Sequence, residues 1–236
     1  GQPTLEPDLP LYAHWARERG FRIIALITNG RRLAYPGYLE QLMGAGINRI
    51  TVSIHGHTPK LHDGLTRCPG SFAQTLTALE NLGRIRRGRS IDLHTSTVLT
   101  QRALPHLDPI FRLLWARGID VIVFNSMMPK GRGARFAPQL LPSYGALVDA
   151  VARLCETLTP GELSHLRVED LPPCFAAKLP PGICGETEEY DQFEEAGSTG
   201  LSELAVLNPA SSRADVPEQS PGEAEPPAAL GEVRDQ

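Results

Sequence analysis

Four short segments carry most of the side chains that could do chemistry. They are Thr28-Asn29-Gly30, Ser53-Ile54-His55-Gly56-His57, Thr95-Ser96-Thr97, and Asn125-Ser126 followed by "MMPKGRG" at 127–133. Hydroxyls and amides both donate and accept hydrogen bonds, which is what a sugar diol or the edge of a nucleobase asks of its host. No paired acid and base stands in any of them, so the pattern speaks for holding a polar ligand rather than for an ordinary metal-free lyase. Each segment taken alone is also ordinary loop chemistry, with Asn-Gly as a turn and Ser as a cap.

The elements around these segments decide between the two readings. Runs rich in β-branched residues, "RIIALIT" (22–28), "RITVSI" (49–54), "IDLHTSTV" (91–98) and "DVIVFNS" (120–126), predict buried strands, and each polar segment closes one of them. Helical spacing predicts helices over 71–86, 105–117 and 141–158, the first behind Ser71 as its N-cap. Gly20, Gly46 and Gly118 each stand between a helix end and the next strand, where a left-handed residue turns the chain. Strand, helix, glycine, strand is the order of a parallel α/β sheet, whose ligands gather at the carboxyl ends of the strands. Four successive strands with polar ends favour a ligand there.

Composition bounds the rest. The 236 residues can bury one full core. Net charge is −4, but residues 194–236 carry nine acids against two arginines, leaving the remainder slightly positive. That excess is too scattered for a nucleic-acid surface, and no apolar run reaches a membrane span. Cys68, Cys155, Cys174 and Cys184 are too few for a disulfide scaffold, so a reducing cytoplasm is the expected compartment. The tail from 194 is rich in Pro, Glu, Ala and Ser and is expected to be disordered, with a short helix at 201–207 as the one exception. The expected organisation is a core at 1–160, an extension with two cysteines at 161–193, and the acidic tail at 194–236.

The order "GQPTL", "TNG", "VSIHG" and "HDGLTRCPGSFAQTLTALENL" resembles the radical S-adenosylmethionine (radical SAM) superfamily, and within it the bacterial branch that includes peptide-modifying maturases. The resemblance covers about residues 1–133. It implies a partial (β/α)6 TIM-like barrel of parallel strands. It also implies an enzyme that cleaves S-adenosylmethionine reductively at a [4Fe–4S] cluster, making a 5′-deoxyadenosyl radical that abstracts hydrogen from a substrate. The implied partners are a peptide or small-molecule substrate and an electron donor such as ferredoxin or flavodoxin.

In that family a GGEPT motif ends the second strand and its backbone binds the methionine amino group. Gly1, Gln2, Pro3 and Thr4 match its last four residues, with Gln in place of Glu. The first strand and the CxxxCxxC cluster loop are therefore expected before residue 1, and the chain reads as a fragment of a longer enzyme. The resemblance further implies that Ser53, ending the fourth barrel strand, meets the ribose, with His55 on the same side. Thr28 and Asn29 would line the nucleoside pocket, or serve as a turn. Arg67 would pair with the methionine carboxylate, or be a solvated loop arginine. On the fifth strand either Thr95 and Thr97 or Ser96 and Val98 face the interior, and the second pair is preferred. After the sixth strand, Asn125 and Met127 begin the adenine-contacting segment. Cys174 and Cys184 are weaker candidates as ligands of an auxiliary cluster. The rival reading is a non-catalytic module that binds a nucleoside or a partner without redox chemistry.

Overall fold

The computed structural model describes residues 2–129, 132–184 and 204–206. A 3-10 turn at Pro3–Leu5 leads into α1 (Leu9–Glu18) and β1 (Ile23–Thr28). Then follow α2 (Pro36–Ala45), β2 (Arg49–Ser53), α3 (Pro59–Thr66), α4 (Ser71–Arg86), β3 (Asp92–Leu99), α5 (Leu107–Trp115) and β4 (Val121–Ser126). Two short helices, α6 (Arg132–Arg135) and α7 (Ala137–Leu140), precede α8 (Tyr144–Thr157), α9 (Pro160–Leu163), β5 (Leu166–Glu169), α10 (Pro173–Ala176) and β6 (Leu204–Val206).

All pairings are parallel, in the spatial order β5-β4-β3-β2-β1-β6. From β1 to β5 the order follows the sequence. Right-handed crossovers in a single direction then put every connecting helix on one face of the sheet. Burial agrees with this: Ile24, Leu26, Ile50, Val52, Leu93, Thr95, Thr97, Ile122, Phe124, Leu166 and Val168 alternate along the strands and are all buried. They join Leu39, Leu42, Leu79, Leu82, Ile110, Phe111, Leu114, Val151 and Leu154 from the helices; the hydrophobic members of both sets form one core cluster. The intervening side chains, Ile27, Thr51, Ser53, His94, Ser96, Val98, Asn125, Arg167 and Glu169, are not buried and lie on the opposite face. This face carries no helix from these crossovers. The sheet has edges at β5 and β6, and closure into a barrel is not seen among the described residues.

Gly20, Gly46 and Gly118 all have positive φ where helices give way to strands, as their spacing predicts. Two expectations are corrected. Ser71 is not the N-cap of α4. That position is Gly70 in the left-handed conformation, and Ser71 is the first helical residue, buried and turned to donate its hydroxyl to Asp63 Oδ1 at 2.9 Å. The cap comes instead from Asp63, seven and nine residues back in sequence, which accepts from the backbone N–H of Gly70 (2.8 Å) and of Phe72 (2.7 Å). Nor are residues 204–206, the described part of the expected helix at 201–207, helical. Leu204–Val206 is a strand paired with Ile23–Ala25, because an open sheet edge offers a short apolar segment more backbone partners than an isolated turn of helix can. The rest of the expected disordered tail lies outside the described residues.

Strand β5 was not foreseen. Its four residues alternate Leu166 and Val168 into the core with Arg167 and Glu169 on the open face. They extend the sheet from inside the 161–193 segment. A four-residue strand with a charge at every second position is too short for its period to register.

Candidate functional site

Of the expected residues, Ser53, Ser96 and Asn125 share the open face, because parallel register sets residues of neighbouring strands side by side. Ser53 stands opposite Ser96, and Val98 opposite Asn125, which is opposite Glu169. Ser96 donates its hydroxyl proton to Asn125 Oδ1 at 2.8 Å, and Asn125 Nδ2 donates to Glu169 Oε2 at 2.9 Å. The amide of Asn125 is thereby held in one orientation, with the second Nδ2 hydrogen still available. Ser53 has no side-chain partner among the described residues and is half-buried. Its hydroxyl is thus free to donate to one oxygen and accept from another. Thr95 and Thr97 are turned into the helix-facing core, where the Thr97 hydroxyl donates to the Ile54 carbonyl at 2.5 Å.

His55 extends this row past the strand end. The Ile54 N–H donates to the Ser96 carbonyl (3.0 Å) and the Val98 N–H donates to His55 Nδ1 (3.3 Å), so the loop after β2 stays tied to β3. The His55 N–H in turn donates to His62 Nδ1 at 3.0 Å, and the two rings stack 5.8 Å apart. Burial first, and the neighbouring His62 second, lower the His55 pKa to about 4. The imidazole is therefore neutral at neutral pH, and because its Nδ1 accepts, its Nε2 carries the proton.

The amino-terminal segment is organised by Gln2. Its Nε2 donates to Thr4 Oγ1 (2.7 Å) and Thr28 Oγ1 (2.5 Å), and its Oε1 accepts from the Asn29 N–H (3.1 Å). The Gln2 and Pro3 carbonyls accept from Leu5 and Glu6, and the Thr4 carbonyl accepts from Arg32 and Tyr38. Thr28 is buried on the helix-facing side and also accepts from the Gly30 N–H, while Asn29 Oδ1 accepts from the Arg31 N–H. Thr28-Asn29-Gly30 accordingly has the contacts of a turn, with Gly30 left-handed at φ 77°. Gly1 lies outside the described residues.

Arg67 is exposed and left-handed (φ 55°), with its guanidinium 4.3 Å above the Phe136 ring. Met127 is half-buried after β4 and Met128 is exposed. Cys174 is exposed on α10, whereas Cys184 is half-buried, its thiol directed at the Ala176 carbonyl and its pKa raised by burial. Among the described residues no three His, Cys, Asp or Glu side chains are grouped to hold a metal ion. These residues therefore offer no ligand set for a [4Fe–4S] cluster. Two features of the site were not anticipated, Glu169 and the clamp by Gln2. Glu169 belongs to the unforeseen strand, and the clamp joins residues 26 and 27 apart in sequence.

No helix among the described residues is long and apolar enough to cross a membrane. No family model matches the chain. Curated relatives do. The AdoMet-dependent heme synthase of Methanosarcina barkeri is 32% identical over 133 residues, covering 56% of this chain and 36% of that protein. The PqqA peptide cyclase of Ruegeria pomeroyi is 28% identical over 190 residues, 78% of this chain and 48% of that protein. The probable GTP 3′,8-cyclase of Metallosphaera sedula is 27% identical over 133 residues, 56% and 40% respectively. The chain thus spans between a third and a half of the length of these relatives. They are radical SAM enzymes, which use S-adenosylmethionine and a [4Fe–4S] cluster. Over the length it spans, the chain is a homologue of the radical S-adenosylmethionine enzymes.

Proposed function

We propose that this chain is the part of a radical SAM enzyme that holds the nucleoside end of S-adenosylmethionine. The observation that carries the reading is the row Ser53, Ser96, Asn125 on three adjacent parallel strands, with Ser53 at the carboxyl end of β2 and Asn125 next to that of β4, on the face away from the helices. Ser53, unpartnered, meets the ribose diol. Asn125 and the backbone after it meet the adenine edge, with Met127 against the ring plane. His55, a neutral donor, borders the ribose. Arg67, at the C-terminal end of α3, pairs with the methionine carboxylate in this reading.

The whole enzyme, in this reading, cleaves S-adenosylmethionine reductively to start hydrogen abstraction. A peptide is the first candidate substrate, supported by the likeness to a peptide cyclase. An external reductant such as ferredoxin or flavodoxin supplies the electron. The described residues offer no ligand set for the cluster, so their share is binding, orientation and exclusion of water.

Titration of the isotope-labelled chain with S-adenosylmethionine and with 5′-deoxyadenosine, followed by amide NMR, tests this. Saturable shifts at 53, 96 and 125–127 are expected, with affinity on the order of millimolar. Ser53→Ala removes one or two hydrogen bonds, each about 0.5–1.5 kcal/mol, and should weaken binding with the fold intact. Cys155→Ala, a change against the edge of the core, should lower stability and leave binding unchanged. Undiminished binding by folded Ser53→Ala would reduce the serine to a loop residue.

A further inference from the structure

Beside the open face, a cleft lies over the ends of β2 and β3. His55, Lys60, Thr100 and Arg102 line it together with Leu61, Leu65, Ala103 and Leu140. Neither Lys60 nor Arg102 has a carboxylate partner among the described residues. The nearest acid on the same helix, Asp63, is committed to the cap of α4. Two unneutralised cations facing one cleft repel each other, and an anion between them removes that cost.

The cleft is also built rather than incidental. Its α7 wall is pinned where the Gln101 N–H donates to the Leu140 carbonyl (2.9 Å) and Gln101 Nε2 donates to the Leu141 carbonyl (2.6 Å). The Thr100 carbonyl is held by the Ala103 and Leu104 N–H groups, and His55 by Val98. In the first turn of α3 Pro59 has no N–H, Leu61 donates to Thr58 Oγ1 and His62 to the Thr58 carbonyl, which leaves the Lys60 N–H by itself. No nest of free N–H groups remains for a phosphate, and the aliphatic walls call for an apolar stem.

We infer that this cleft binds a carboxylate on a short aliphatic stem, the acid held between Lys60 and Arg102 and the stem against Leu61, Leu65, Ala103 and Leu140. The acid would belong to the substrate, because His55, which lines the cleft, stands two residues along the chain from Ser53; that attribution rests on the nucleoside reading above, whereas the carboxylate site does not.

The test uses the labelled chain with glutarate as probe, and with glutaramide and inorganic phosphate as comparisons. Glutarate should shift the amides of 55, 60–65 and 100–103 saturably, and glutaramide should not. Lys60→Gln combined with Arg102→Gln should weaken glutarate at least about tenfold, while 5′-deoxyadenosine still shifts 53, 96 and 125. Both side chains are exposed, so the double variant should fold, which its spectrum checks directly; Lys60→Glu alone should also abolish the glutarate shifts. The proposal is overturned if glutarate gives no saturable shift, if its shifts survive the double substitution, or if phosphate binds as tightly. Glutarate binding without 5′-deoxyadenosine binding would uphold the cleft and sink the nucleoside reading; the reverse would do the opposite.

Discussion

Ser96 on β3 gives its hydroxyl proton to Asn125 on β4 at 2.8 Å, across neighbouring strands whose register sets the two residues diagonally on the same face. That bond and the one from Asn125 Nδ2 to Glu169 orient a single amide between two strands. Asn125→Leu removes both. The expected result is weaker nucleoside binding, by about 1–3 kcal/mol, with chemical shifts of the 125–127 backbone altered even without ligand. Calorimetry or NMR titration against 5′-deoxyadenosine measures it, and unchanged affinity would remove Asn125 from the site.

Gly56 is needed for a steric reason. A Cβ there would stand 2.5 Å from Leu61 Cβ and 2.9 Å from the His62 nitrogen. The second of these is backbone and cannot swing aside. Gly56→Ala should therefore push α3 off the loop, costing about 1–3 kcal/mol by urea denaturation and disturbing His55 through its bond to His62. A variant as stable as the parent would show that α3 can shift at little cost.

Asp63→Ala should cost about 1–2 kcal/mol, the range of a lost helix cap. It leaves the Gly70 and Phe72 N–H groups without their acceptor. Asp63→Asn keeps part of the cap and should fall between the two. Amide exchange in the first turn of α4 is the sensitive readout, and slow exchange retained in Asp63→Ala would contradict the assignment.

Acid should destabilise the fold in two stages. Burial lowers the His55 pKa to about 4 and also lowers that of His62, so the unfolded chain binds protons more readily than the folded one. Their stabilising contribution is complete above about pH 6.5 and is lost as pH falls toward 4; for His55 the loss is about 1–3 kcal/mol. For Asp63 burial alone would raise the pKa, but the Phe72 and Gly70 amides and the Ser71 hydroxyl outweigh it and hold the carboxyl below its ordinary value. Its contribution is present above the usual carboxylate range and disappears as pH drops through the lowered value. Urea midpoints from pH 7 to 3 should fall throughout, and a flat profile between 6.5 and 4.5 would exclude neutral buried histidines.

Thiol labelling should separate the cysteines. Cys174 is exposed, while burial, with Cys184 and Glu156 adding to it, pushes Cys155 up to about 11. At pH 8 Cys174 should react with a disulfide reagent well before Cys155, because the thiolate is the nucleophile. Mass spectrometry of the labelled peptides reads the order, and labelling of Cys155 first would refute the burial seen for α8.

Much of the arrangement was legible in the residues themselves. β-Branched runs ending in polar pairs, and glycines between helix ends and strands, determine β1 to β4 and their parallel order, since those signals are local and a right-handed crossover leaves little choice of topology. Period-two alternation also requires that Thr95 and Ser96 part to opposite faces. Which of them enters the core was a matter of tertiary packing, because the decision lies with the helices that cover one side. The same holds for Asp63 capping α4 in place of Ser71, for Gln2 clamping the end of β1, and for Glu169 arriving beside Asn125 on a strand of four residues. Each joins groups from separate elements, and a side chain's partner across space is set by how elements dock, which spacing along the chain does not encode.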